Sequence, residues 1–255
     1  MWSVGIGLLV LIVAAAIAVA LFLDGIVKTG VEAVGPKITG VSIKLDEVHI
    51  GLLTGSASVK GLVVGNPDGY KTPNAISVGL AEVGVDPFSI FSDKIVVRSV
   101  HVESPEITFE GGLGGNNLSK IMDNVNGVAK SGGPAPASTT TSNKPAKKIE
   151  VDDLLITGAK VSGTLILFGG KEVPIPSLQL PDIHLTDLGK GSDGLTATDL
   201  TRAVLSAITA ATIKTVANSA ADIGKGAENL GKDAGKTAGD SVNKITKGIG
   251  GLFGK

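Results

Sequence analysis

The chain has 255 residues, 23 basic against 24 acidic side chains, a formal charge of −1, and no cysteine. Such a balance leaves no electrostatic footprint for nucleic acid, and the missing cysteine excludes disulfide scaffolds and cysteine-ligated metals. With 43% apolar residues, 3% aromatics and 36 glycines, the chain is too apolar and too neutral to be disordered throughout.

From Trp2 to Leu23 there is no charged residue, and Asp24 is the first. About 20 apolar residues make a helix of roughly 30 Å, the thickness of a bilayer core. A cleaved signal peptide would open on Lys or Arg and carry a shorter apolar run. The reading is therefore an uncleaved anchor over residues 1–24. Lys28, Lys37 and Lys44 follow it with no basic residue before it, a weak bias towards a cytoplasmic bulk.

From Lys37 to Glu110 the pattern has period two. Val48, Ile50 and Leu52 alternate with polar residues or glycine, as do Val100 with Val102 and Ile107 with Phe109. Gly65-Asn66-Pro67-Asp68-Gly69, Asp86-Pro87 and Ser104-Pro105 punctuate these strands. Leu118, Ile121, Met122 and Val125 then fall at helical spacing behind Asn116-Asn117, an N-cap signal. This β unit with its short helix spans 25–130. Residues 131–148, rich in Pro, Ser, Thr and Ala, are a linker.

A second β segment spans 149–190, and it repeats the first. Ile95, Val97, Val100, Val102, Pro105 and Ile107 align with Ile149, Val151, Leu154, Ile156, Ala159 and Val161 at one constant offset. Either two β segments match by chance, or one supersecondary unit is used twice in a single elongated sheet. Nine or ten strands at ~4.8 Å spacing would extend such a sheet by ~45 Å.

Residues 195–255 read as a helical tail. Thr196-Ala197-Thr198-Asp199 resembles a capping box, and Leu200, Val204, Ala207, Ile208, Ala211 and Val216 form an apolar stripe. From Ala221 onward the stripe continues through Ile223, Leu230, Val242, Ile245, Ile249, Leu252 and Phe253. The many glycines there predict coil in water and helix on a membrane.

Catalytic signals are missing from this pattern. His49, His101 and His184 each sit in strand texture, and Asp152-Asp153 lacks a third nearby metal ligand. Gly111–Asn117 reads as a loop, lacking the Lys-Ser/Thr ending of a phosphate loop. The expectation is a non-enzyme without metal or cofactor.

Gly61–Tyr70, Val85–Ile90, Lys94–Glu110, Gly114–Asp123 and Ile149–Val161, in this order behind the apolar run, resemble bacterial AsmA-like proteins over residues 1–188. The chain would be a short member, and its tail looks more like a late-embryogenesis-abundant or apolipoprotein-like helix. The resemblance implies a single-pass inner-membrane anchor with the bulk in the periplasm. It also implies a role in envelope or outer-membrane biogenesis and, in long members, a groove that carries phospholipid.

The predicted fold is α+β: an N-terminal transmembrane helix, an elongated, mostly antiparallel sheet with one short helix, and C-terminal amphipathic helices. The predicted lipid-contacting face is Val48, Ile50, Val100, Val102, Ile107, Leu154, Ile156 and Val161. The expected partners are membrane and phospholipid. The alternative is a structural or stress-protective membrane-coating protein, with helices over Leu200–Val216 covering the face and no groove.

Overall fold

In the computed structural model, which describes residues 23–51, 54–113, 115–131, 147–167, 169–191 and 193–230, the period-two segments form one mixed sheet. Its strands are β1 (Ile43–Lys44), β2 (Glu47–Gly51), β3 (Ser56–Gly65), β4 (Asn74–Val85), β5 (Lys94–Glu103), β6 (Glu106–Gly112), β7 (Gly115–Asn116), β8 (Lys148–Thr157), β9 (Lys160–Ile166), β10 (Glu172–Gln179) and β11 (Ile183–Leu188). Helix α1 occupies residues 23–39, α2 is Asn117–Lys130 and α3 is Ala197–Leu230. A 3₁₀ turn, Pro87–Phe91, joins β4 to β5.

Apart from the short β7, the strands lie in six ranks. Consecutive strands continue one another end to end: β4 pairs with β5 along Leu80–Val85 and with β6 at Ile76–Ser77. β1 and β2 follow one another along β3, and β11 and β10 lie along β8 and β9. Six ranks are only ~24 Å wide at ~4.8 Å spacing, so the width expected from nine or ten strands side by side is corrected. Period two shows that a segment is extended but not whether the next segment turns back or carries on.

The internal repeat is a pairing register. β5 runs parallel to β8 from Lys94↔Lys148 to Glu103↔Thr157, and β6 runs parallel to β9 from Glu106↔Lys160 to Gly111↔Leu165. The remaining ladders are antiparallel. Parallel neighbours cannot be joined by a hairpin, so the chain crosses over between β6 and β8, and α2 lies in that crossover.

One crease crosses every rank. It passes Asp46, Gly61, Gly79, Ser104, Gly158 and Asp182, where regular pairing lapses between the flanking registers. Ser104 has φ +48°, and Gly158, its partner in the repeat, has φ +65°. Such interruptions bend strands and increase twist, and the sheet is curled.

The two helix starts read from sequence are present. Asn116 accepts a hydrogen bond from Ser119 N at 2.9 Å, and Thr196 Oγ1 accepts one from Asp199 N at 3.0 Å. The apolar side of α2, Leu118, Ile121 and Val125, is buried. The stripe from Leu200 and the first residues of the expected tail belong to one helix of 34 residues. Its segment Ala197–Ala221 is long and apolar enough to cross a membrane by length and composition alone. In this structure Leu205, Ile208 and Val216 are buried in the core cluster shared by sheet and α2.

Helix α1 was not anticipated. Its Asp24, Lys28 and Glu32, four residues apart, form a stripe along the edge of the sheet. Asp24 Oδ1 accepts from Ile50 N at 2.8 Å and Glu32 Oε1 from Leu45 N at 2.9 Å, while Lys28 Nζ donates to Asp46 O at 2.9 Å. Side chains thus satisfy edge groups that another strand would otherwise pair. The expected anchor Trp2–Leu23 lies, except for Leu23, outside the described residues. So do 132–146 of the linker and 231–255 of the tail.

Two outcomes test this architecture. Gly61 has φ +61° and a Cβ there would stand 2.0 Å from Asp46 Oδ2, whereas a Cβ on Gly79, across the same crease, meets nothing within 4 Å. Gly61→Ala is expected to lower unfolding free energy by ~1–2 kcal/mol through left-handed strain, with Gly79→Ala nearly neutral, by denaturant titration. Glu32→Ala should cost about 1–2 kcal/mol by leaving the Leu45 amide unpaired, and light scattering should show increased self-association through the uncovered edge.

Candidate functional site

The apolar face is built from cross-strand rows, because directly opposed residues point to the same side of a sheet. Val48, Val59, Ala81, Val102, Ile156 and Ile183 form one row across all six ranks. Ile50, Ala57, Val83, Val100, Leu154 and Leu185 form the next. Beyond the crease, Ile43, Val64, Ile76, Ile107, Val161 and Leu178 form a third. All eight residues expected on the lipid-contacting face stand in these three rows.

Cover differs along this face. The third row packs with α2: Ile76, Ile107 and Val161 are buried, together with Phe109, in one cluster with Leu118, Ile121 and Val125. On β8 and β11, where α3 packs, Leu154, Ile156 and Ile183 are buried. Between α3 and α1, Val48 and Ala81 are buried, whereas Ile50, Ala57, Val59, Val83, Val97, Val100 and Val102 are only half-buried. This strip is a floor of small and β-branched side chains. From the level of Ile95 to that of Val102 it runs for ~23 Å at ~3.3 Å per residue, compared with ~15 Å for half a bilayer core.

Of the expected membrane-binding tail, Ile223 and Leu230 fall within α3, and Val242, Ile245, Ile249, Leu252 and Phe253 lie outside the described residues.

The opposite face is polar. His49, Ser58, Glu82, His101, Leu155 and His184 form one row there. His184 Nε2 meets Asp153 Oδ1 at 2.5 Å, so Asp153 serves a cross-strand pair, and among the described residues no group of three His, Asp or Glu is placed to hold a metal. A cleft of about 360 Å³ on the far half is lined by Ser77, Glu106, Thr108, Lys160 and Ser162 among others.

A buried polar network joins the two halves of the sequence pattern that carried the family resemblance. Glu110 accepts hydrogen bonds from Lys71 N at 2.5 Å, Thr72 N at 3.0 Å and Thr72 Oγ1 at 2.9 Å. Asn117, fully buried, accepts from Glu110 N and donates to Asn66 Oδ1 at 2.8 Å and to Thr108 O at 2.7 Å. Asn66 in turn donates to Thr72 O and Oγ1. The Asn66–Tyr70 loop is therefore tied to β6 and to the start of α2. Read locally, Asn66 was a turn residue and Asn117 part of a cap. Their meeting is tertiary and carries no local signal.

The AsmA family model matches residues 2–164, more than half of the chain. The chain belongs to the AsmA family. No curated protein and no solved structure matches it. The match ends within β9, so β10, β11 and α3 lie beyond it. Membership is consistent with an envelope-associated function.

Burial alone would raise the Glu110 pKa, but the Lys71 and Thr72 amides, the Thr72 hydroxyl and the Lys71 charge together hold it below the ordinary carboxylate value. A depressed folded pKa gives stability that is present above the unfolded value and lost as pH falls through the folded one. The wild type should therefore lose melting temperature steeply below ~pH 4.3, the ordinary Glu value. Glu110→Gln should start about 1–3 kcal/mol less stable at pH 7 and show a flatter acid limb in calorimetry.

Proposed function

We propose that this chain is a non-enzymatic, membrane-anchored envelope protein that holds phospholipid acyl chain on the half-open floor between α1 and α3. The anchor is the apolar run Trp2–Leu23, single-pass in the inner membrane, with the sheet in the periplasm and a role in envelope or outer-membrane biogenesis. One observation carries this reading: the apolar rows continue unbroken across six ranks, yet Leu154, Ile156 and Ile183, on strands where α3 packs, are buried while most of the row residues on β2–β5 are only half-buried. A half-covered apolar strip of this extent is the surface assigned here to binding. About ten methylenes laid on it would contribute ~8 kcal/mol at ~0.8 kcal/mol each, before the costs of ordering. The sheet is too narrow for one copy to bridge two membranes, so binding or hand-over fits it better than a complete conduit.

A photo-crosslinking residue at Val83 or Val100 is expected to capture phospholipid in membranes, whereas one at Val161, which is fully buried, should not. Adducts from Val83 and Val100 only to α3, with no lipid, would reject the groove and favour the membrane-coating alternative.

A further inference from the structure

We propose that the 3₁₀ turn Pro87–Phe91 is a membrane wedge, whose Phe88 and Phe91 rings enter the interface of the bilayer that anchors the chain. Aromatics are only 3% of the sequence, yet Phe88 is 82% and Phe91 88% exposed. In a 3₁₀ helix residues three apart eclipse one another, so both rings project from one side and form a single apolar tip. The turn is held for this purpose by its polar groups. Asp86 accepts from Phe88 N at 3.0 Å and from the Arg98 guanidinium at 2.9 Å. Buried Ser89 donates to Asp86 O at 2.6 Å and accepts from Val96 N at 3.0 Å, and Lys147 Nζ donates to Ile90 O. The turn's polar groups are paired within the chain, and the two rings are its most exposed apolar groups, beside exposed Ser92 and Asp93.

The register names the partner. Ser56 pairs with both Gly51 and Gly84, so the turn after Val85 lies at the same end of the sheet as Gly51. Asp24 bonds Ile50 at that end and Glu32 bonds Leu45 further in, so α1, traced backwards, leaves the sheet beside the turn. The residues it leads to are the uncharged run Trp2–Leu23. Ile26 and Val27, on the first turns of α1, are exposed there as well. Exposed aromatic and aliphatic groups next to an anchor fit the interfacial zone of a bilayer. The half-buried floor runs towards the same end, so the wedge would hold its mouth against lipid.

The inference rests on the anchor reading for its occupant, and the experiment separates the two. The native chain has no cysteine, so Phe88→Cys, Phe91→Cys and, at the opposite end, Asp68→Cys each carry one environment-sensitive fluorophore. The full chain is reconstituted into phosphatidylcholine vesicles. At positions 88 and 91 the emission is expected to shift to the blue, to be quenched by spin-labelled lipid and to resist iodide, while position 68 stays open to iodide. Retention after alkaline carbonate with positions 88 and 91 as iodide-accessible as 68 overturns the wedge and leaves the anchor standing. Release by carbonate, from vesicles in which 88 and 91 had been quenched by lipid, overturns the anchor and leaves the wedge standing.

Discussion

The parallel ladder between β5–β6 and β8–β9 decides the rest of the sheet. Because the two copies of the repeat pair at one register, like falls beside like: Val97 with Val151, Val100 with Leu154, Val102 with Ile156, Ile107 with Val161. The irregular step between Val97 and Val100 lies beside the same step between Val151 and Leu154, and Ser104 lies beside Gly158. A slip of one residue would turn every side chain of β8–β9 to the other face. The apolar rows continue across six ranks because this central pairing keeps both phase and crease aligned. The crossover that parallel pairing demands also brings α2 onto the apolar side, where it closes the far half of the face.

A sheet that does not close into a barrel must deal with two edges, and this one treats them differently. On β1–β2 the Asp24, Lys28 and Glu32 stripe replaces a neighbouring strand. On β10 the edge carries Pro174 and Pro176, with a register shift between Ile175 and Leu178. Proline has no N–H to offer a further strand, and an irregular edge is a poor template. The first device also fixes the sheet to α1, the segment that follows the apolar run, and Val34 and Ile38 of α1 pack into the same core, so charge stripe and apolar contacts together set how the sheet sits on α1.

Strand positions, the α2 core, both helix caps and the repeat were legible because each is written in local periodicity or local hydrogen-bonding chemistry. The eight residues expected on the apolar face share that face because alternation is a property of one strand. What covers them was not legible, since it depends on where α3 docks. The crease was hidden for another reason: Ser104 at φ +48° is not a glycine, and Ser104-Pro105 looks like an ordinary turn. Helix α1 was hidden because Asp24, Lys28 and Glu32 resemble a solvated charge pattern, and Lys28 entered the reading only as an orientation signal. The Glu110–Asn117 network joins residues far apart in sequence, and no local window contains it.

The uneven cover gives the apolar face a direction. Its far half is plugged by Phe109 and by Leu118, Ile121 and Val125 of α2, all at most 1% exposed. Its near half has a floor of Val, Ile and Ala with no aromatic ring in the strip. A floor without bulky side chains imposes little shape on what lies along it, which suits a flexible methylene chain better than a rigid ligand. In the proposed reading, a lipid enters from the end that carries the 3₁₀ turn and the start of α1. The elements beyond the AsmA family match bear on the same point. β10 and β11 extend the sheet beyond β9 and β8, and α3 packs on β8, β10 and β11, leaving the half-buried strip on β2–β5. In the proposed reading, the shared part of the chain supplies the apolar rows and the anchor, and the C-terminal elements set how much of those rows a lipid can reach.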